Sequence, residues 1–280
     1  MPDASLEFAA ELLVARRAAA EAASLIVARE GAAEVREKER ADLVTAVDEA
    51  AERAVIARIR AHFPGDGIVA EETSAAALAA GRRWIVDPID GTNNFVHGYP
   101  FTCVSIAFAD DAGLAAAVVH APLLGEVFHA VRGGGAFLND APIRVSATDT
   151  PCRALLATGF PFKSGKGALE PYFRLVADVM ADAQDVRRAG SAALDLAYVA
   201  AGRVEGYFEL GLSSWDVAAG ALLVAEAGGT VSGWPGDARG PVESGRVLAS
   251  NGLLHGWMEE VLARHVGALG ADPAGPRPAA

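Results

Sequence analysis

Trp84-Ile85-Val86-Asp87-Pro88-Ile89-Asp90-Gly91-Thr92 is the stretch from which the rest of the chain can be read. A short apolar strand, Trp84 to Val86, runs into two carboxylates set three residues apart by a proline turn. A glycine and a threonine follow where a helix can begin. Such a segment can hold a hard divalent cation beside backbone N–H groups suited to a phosphate. Metal-dependent phosphate chemistry is therefore the first expectation.

Upstream, residues 5–30 are rich in Ala, Leu, Glu and Arg and read as a long amphipathic helix. The charged stretch Glu34 to Arg40 has few apolar anchors and reads as a mobile segment. It leads into Asp42-Leu43-Val44-Thr45-Ala46-Val47-Asp48, where Thr45 and Asp48 form a capping pair for a helix running to about His62. Ile68 to Ala70 is a short strand that delivers Glu71 and Glu72.

Downstream the pattern is first β, with strands at Val104–Phe108, Ala116–Val119 and Glu126–Phe128. Gly133-Gly134-Gly135 lies between strand-like runs with no helix after it, which favours a bulged hairpin over a phosphate loop. The second half alternates: strand Ala154–Thr158, helix Gly167–Ala183, helix Ser191–Ala201, strand Tyr207–Glu209, helix Asp216–Ala227, strand Arg246–Ser250 and helix Leu253–Val266. Residues 267–280 read as a disordered tail. No flexible linker or repeat interrupts the chain. One domain over 5–266 is expected, with halves 5–146 (metal and phosphate site) and 147–266 (rest of the metal site and the substrate pocket).

Composition narrows the partners. With 52% hydrophobic and 21% charged residues the chain is globular. A net charge of −12, with lysine only at 38, 163 and 166, argues against general binding of nucleic acids or anionic membranes. An acidic protein that acts on phosphate needs local positive charge from elsewhere, and metal ions would supply it. Cys103 and Cys152 lack metal-ligand spacing and read as buried small apolar residues. Neither a signal peptide nor a bilayer-spanning run is evident, so a cytoplasmic protein without membrane attachment is expected.

Glu71, Asp87, Asp90 and Asp216 each follow an apolar strand or open a helix. Carboxylates so placed are poor core residues but can converge on a crevice and bind Mg²⁺. Asp87 could bridge two ions, and the Ile89 carbonyl could add a backbone ligand. Taken alone, Asp216 reads as a helix cap and Glu71-Glu72 as a solvated pair; the coincidence of special residues from Asp87 to Thr92 favours function.

The whole set resembles the inositol monophosphatase family of lithium-sensitive, Mg²⁺-dependent phosphatases. The resemblance runs from about Leu6 to Val266. It is carried by Asp42 to Asp48, Glu71-Glu72, the run Trp84 to Phe101, Gly190-Ser191-Ala192-Ala193 and Trp215-Asp216-Val217-Ala218-Ala219-Gly220. It implies an α/β fold, a layered α/β/α/β/α sandwich with the site between its halves. Metal ligands would be Glu71, Asp87, the Ile89 carbonyl, Asp90 and Asp216, holding two or three Mg²⁺ ions. Thr92, aided by Asp48, would orient and deprotonate the attacking water, with Glu72 just outside the ligands. Gly91 and Thr92 N–H groups would bind phosphate, and Gly190, Ser191, Ala192 and Glu209 would line the pocket for the alcohol. Asn93 stands where the family often has threonine, and Lys38 is the one candidate for a lysine near the metals. The implied reaction is hydrolysis of a small phosphate monoester, foremost myo-inositol monophosphate, by a homodimer. Histidinol phosphate, 3′-phosphoadenosine nucleotides and fructose 1,6-bisphosphate are alternative substrates, and a non-catalytic regulatory relative is the alternative class.

Overall fold

A computed structural model describes residues 7–28, 35–39, 42–73, 81–161 and 169–269. The alanine-rich helix is α1 (Ala9–Ala28). Its buried stripe of Ala15, Ala18, Ala19 and Ala22 is narrow enough for α2 (Ala46–His62) to pack closely against it. Between them, residues 35–39 of the charged stretch read as mobile form β1 (Val35–Glu39), paired antiparallel with β2 (Asp42–Thr45), while Glu34 and Arg40 lie outside the described residues. A two-stranded ribbon satisfies its backbone through the ladder and does not depend on apolar anchors. Thr45 caps α2 as its sequence implies: its hydroxyl accepts from the Val47 and Asp48 N–H groups, and Asp48 Oδ2 accepts from the Thr45 N–H at 2.8 Å.

β3 (Gly67–Ala70), β4 (Arg83–Asp90), β5 (Cys103–Asp110), β6 (Gly113–Ala121), β7 (Glu126–Val131), β8 (Gly135–Leu138) and β9 (Ala141–Ile143) make one sheet in sequence order, with α3 (Thr92–His97) between β4 and β5. β3 lies parallel to β4, and the later neighbours are antiparallel. Gly133 and Gly134 turn a β7–β8 hairpin, as read from the sequence, but its ladder runs in regular register down to Val131 opposite Gly135, without the expected bulge. Both faces are buried, which explains the nearly continuous apolar runs. Along β4, Trp84 and Val86 join Ile106 and Phe108 against α1 and α2, while Ile85 points the other way with Ala107, Val119 and Phe128.

The second half contributes β10 (Leu155–Thr158), α4 (Leu169–Asp182), β11 (Asp185–Arg187), α5 (Ala192–Ala200), β12 (Gly206–Leu210), α6 (Ser214–Glu226), β13 (Thr230–Ser232), α7 (Pro241–Ser244), β14 (Arg246–Ser250), α8 (His255–Ala263) and α9 (Val266–Leu269). Its strands are ordered β11-β10-β12-β14-β13, with β10 parallel to both neighbours. α5 and α6 fill the space between the two sheets, and α4 and α8 cover the outer face of the second. The layers are thus α/β/α/β/α, the architecture the resemblance implies.

Several boundaries differ from the sequence reading. β11 and β13, three residues each, are too short to carry a periodic signal. The final helix breaks after Ala263 and resumes as α9, so residues expected to begin a disordered tail, 267–269, are helical; 270–280 lie outside the described residues. Both cysteines are free, and Cys103 is buried as expected, but Cys152 is exposed in the short turn Pro151–Arg153. Among the described residues no helix is long and apolar enough to cross a membrane.

Candidate metal and phosphate site

Strand alternation alone would send Asp87 and Asp90, three residues apart, to opposite faces of β4. The pairing with β5 prevents that. Asp87 stands opposite Ser105 and Asp90 opposite Cys103, so β4 spends three steps where β5 spends two, and one extra residue is absorbed between the carboxylates. This bulge turns Asp90 onto the same face as Asp87, the side on which α5 and α6 lie. Pro88 sits in the bulge, where a missing N–H breaks no regular ladder bond. The Ile89 N–H donates to Asp87 Oδ1 at 3.0 Å and holds the turn. β4 therefore continues through both acids to Asp90, beyond the Val86 limit read from the sequence.

Asp216 arrives from the first turn of α6. Its Oδ2 accepts the Ser213 N–H at 2.7 Å, so the capping role read for it alone is real, and it lines the cavity as well. One carboxyl oxygen from each of Asp87, Asp90 and Asp216 lies within 4.8 Å of the others. Asp90 Oδ2 accepts from Ser191 Oγ and from the Ala193 N–H, both at 2.7 Å, where α5 begins. Ser191, expected against the substrate, thus also anchors a candidate ligand. Glu71, just past β3, and Ile89 line the same cavity. Glu72 is not part of that lining, and its N–H donates to Glu52 Oε2 at 2.7 Å. The cavity opens at the C-terminal ends of β3, β4, β10, β11 and β12, where α/β sheets form ligand crevices.

Burial and mutual repulsion set the charge state here. Desolvation raises Asp87 well above the usual carboxylate range, helped by Glu71, Asp90, Asp216 and Asp48. Asp90 is pushed up to about 7 by burial and Asp216, against hydrogen bonds from Ser191, Ala193 and Ala192. Carboxylates this close cannot all ionise without protons or a cation among them. An all-oxygen donor set of this kind suits Mg²⁺, so the residues present fit the ion the resemblance implies.

Thr92 Oγ1 lies 3.0 Å from Asp48 Oδ1 and 3.1 Å from the Ile89 carbonyl, and its single proton serves one of them at a time. Asp48 divides its labour: Oδ2 caps α2 while Oδ1 faces Thr92. Burial raises its pKa, opposed by hydrogen bonds from Thr45 and Thr92. Gly91 holds the turn into α3 with φ 95°, and a Cβ there would come within 3.0 Å of the Phe101 carbonyl.

Gly91, Thr92, Gly190, Ser191, Ala192 and Glu209 all line the cavity. Desolvation pushes Glu209 up to about 8, although the Tyr207 hydroxyl donates to it and Arg188 pulls it down. The sequence reading missed Gly159, Arg188 and Asp195, which line the same end. Only Asp195 carried a local signal, a lone charge inside the apolar run Ala192 to Val199. His97 is exposed on α3 and does not line the cavity. The Lys38 side chain lies outside the described part of the chain.

The sequence pattern of the inositol monophosphatase family matches residues 8–270. A Pseudomonas aeruginosa relative named Nus factor SuhB is 45% identical over 221 residues, covering 78% of this chain and 81% of that protein. An inositol-1-monophosphatase from Mesorhizobium japonicum is 42% identical over 214 residues, covering 76% and 80%. Among solved structures, the extragenic suppressor protein suhB of Bartonella henselae superposes with a TM-score of 0.85 at 37% identity, over 92% of this chain and 100% of that one. The inositol monophosphatase of Anabaena (Nostoc) superposes with a TM-score of 0.82 at 36% identity, over 92% and 97%.

Proposed function

The chain belongs to the inositol monophosphatase family, and on that premise we propose that it is a Mg²⁺-dependent phosphatase that hydrolyses myo-inositol monophosphate to myo-inositol and phosphate. The observation that carries the reading is the meeting of Asp87, Asp90 and Asp216 within 4.8 Å, beside the Thr92–Asp48 pair. Glu71, Asp87, the Ile89 carbonyl, Asp90 and Asp216 would hold two or three ions. Bound Mg²⁺ would supply Lewis acidity and neutralise charge on the phosphate.

The chain's own groups account for the rest. Gly91 and Thr92 offer backbone N–H donors to the phosphate at the start of α3. Thr92 Oγ1 accepts a proton from the attacking water while handing its own to Asp48 Oδ1. Burial makes Asp48 a better proton acceptor than an exposed aspartate. Glu72 would support Glu71 from outside the cavity lining. Gly190, Ser191, Ala192 and Glu209 border the departing alcohol. Attack is direct, with no phosphorylated protein intermediate. The working form is taken as a cytoplasmic homodimer in which 5–146 and 147–266 contribute to one site, inhibited by lithium.

A phosphate-release panel over inositol, histidinol, 3′-phosphoadenosine and fructose 1,6-bisphosphate esters tests the substrate. Asp87→Asn should abolish release with the fold intact; turnover retained at saturating Mg²⁺ would overturn the reading. The name Nus factor SuhB, borne by the 45% identical relative, supports a second, regulatory role. The same variant separates the two, because a regulatory role would survive it.

A further inference from the structure

Asp195 is the exception among the buried acids. Glu11 and Asp66 share Arg82, and Asp66 also accepts the Trp84 indole N–H. Glu52 accepts from the Glu72 N–H and the Thr73 hydroxyl, and Glu205 from the Leu155 N–H and the Thr148 hydroxyl. Asp195 is only 4% exposed, lines the cavity from the first turn of α5, and accepts a hydrogen bond from no described residue. The helix dipole gives it little return, because Asp90 already accepts the N–H of Ala193 at that terminus. A desolvated carboxyl without a donor is costly, and Asp195 borders the cavity, from which a donor can come.

Its neighbours indicate what that donor is. Glu209 and Asp90 add to the burial that raises the Asp195 pKa, while Arg188 opposes them. Arg188 also faces Glu209, so this end already has a cation. What Asp195 lacks is a hydrogen-bond donor among the described residues. We infer that Asp195 is a specificity-determining acceptor that takes a hydrogen bond from a hydroxyl on the alcohol part of the substrate, beside Glu209. The inference rests on the phosphatase reading above and narrows the substrate class to phosphate esters of polyols.

The test compares myo-inositol 1-phosphate with p-nitrophenyl phosphate, whose leaving group has no further hydroxyl. Asp195→Leu should raise KM for the inositol ester about tenfold, the loss expected when a buried hydroxyl is left without its acceptor, with kcat nearly unchanged. For p-nitrophenyl phosphate, kcat/KM should stay within about twofold, as for removal of a contact this ester never makes. Asp195→Asn, whose Oδ1 still accepts, should recover most of the loss. Equal losses on both esters, or none on either, would overturn the inference. Should Asp195→Leu fail to fold, Asp195→Asn decides alone, by a few-fold rise in KM confined to the inositol ester. A wild-type protein that hydrolyses neither ester defeats the phosphatase reading instead. Calorimetric binding of the intact inositol ester in Mg²⁺ then decides: weaker binding by Asp195→Leu supports the inference, and unchanged or absent binding sinks it.

Discussion

The two ends of the cavity use the same residue type in opposite ways. At the metal end, Asp87 is raised by Glu71, Asp90, Asp216 and Asp48, all carboxylates. At the alcohol end, Asp195 and Glu209 repel one another too, but Arg188 pulls both down. The first arrangement needs protons or a bound cation among its oxygens. The second already has one and leaves Asp195 without a donor among the described residues, which suits a neutral hydroxylated group. On the proposed reading, one end would determine that a phosphate ester is cleaved, and the other which ester.

That division can be broken most directly at Asp48. An amide at this position can still accept the Thr45 N–H through its one oxygen and complete the capping box. It could not take the proton that Thr92 would relay on the proposed mechanism. Asp48→Asn should lower kcat by about 10³-fold, within the range for loss of a general base, with inositol 1-phosphate and p-nitrophenyl phosphate alike. A loss confined to the inositol ester would mean that Asp48 serves the alcohol and that the two ends are not separate.

Gly159→Ala probes the other end with a smaller effect. A Cβ at Gly159 would overlap the Glu209 carboxyl group, the free end of a side chain that can swing away. The backbone should tolerate alanine, and the melting temperature should barely change. Glu209 would lose its place by the Tyr207 hydroxyl, and KM for the inositol ester should rise about tenfold, as for one lost buried hydrogen bond. Unchanged KM would show that Glu209 does not touch the alcohol.

The same contrast explains what could be read in advance. Asp87, Pro88, Asp90 and Gly91 were legible because the metal end is local: one strand, one bulge and one turn carry most of it in nine consecutive residues. Thr45 and Asp48 were legible as a helix cap, which is also local. Gly159, Arg188 and Asp195 escaped because they follow β10 and β11 or lie within α5, and only the five-stranded sheet brings them together. The bulge itself was also invisible, since a proline between two acids reads as a turn until the partner strand supplies the register. Strand β1 was missed because its charged sequence, Val35 to Glu39, carries no alternation of apolar residues.

The smallest effect expected is thermodynamic, and it separates the ends by their response to Mg²⁺. In the metal-free protein Asp90 stands at about 7 and Glu209 at about 8, with Asp87 raised as well. A carboxyl whose folded pKa exceeds its unfolded value of roughly 4 binds its proton more tightly in the native state. Its stabilising contribution is full below roughly pH 4 and is lost as the pH rises through 7 and 8. The metal-free melting temperature should therefore fall by a few degrees, about 2–4 °C per kcal/mol for a protein near this size, between pH 6 and 8.5. Mg²⁺ displaces the protons at Asp87 and Asp90, so its stabilising increment should grow over the same interval. Asp216→Asn should remove much of that increment, since it takes one ligand from the cluster. Glu209→Gln should leave the increment in place and flatten only the slope that persists in Mg²⁺. A metal-free melting temperature that rises with pH across this window would mean that these acids are already neutralised by cations of the protein, and the difference between the two ends would vanish.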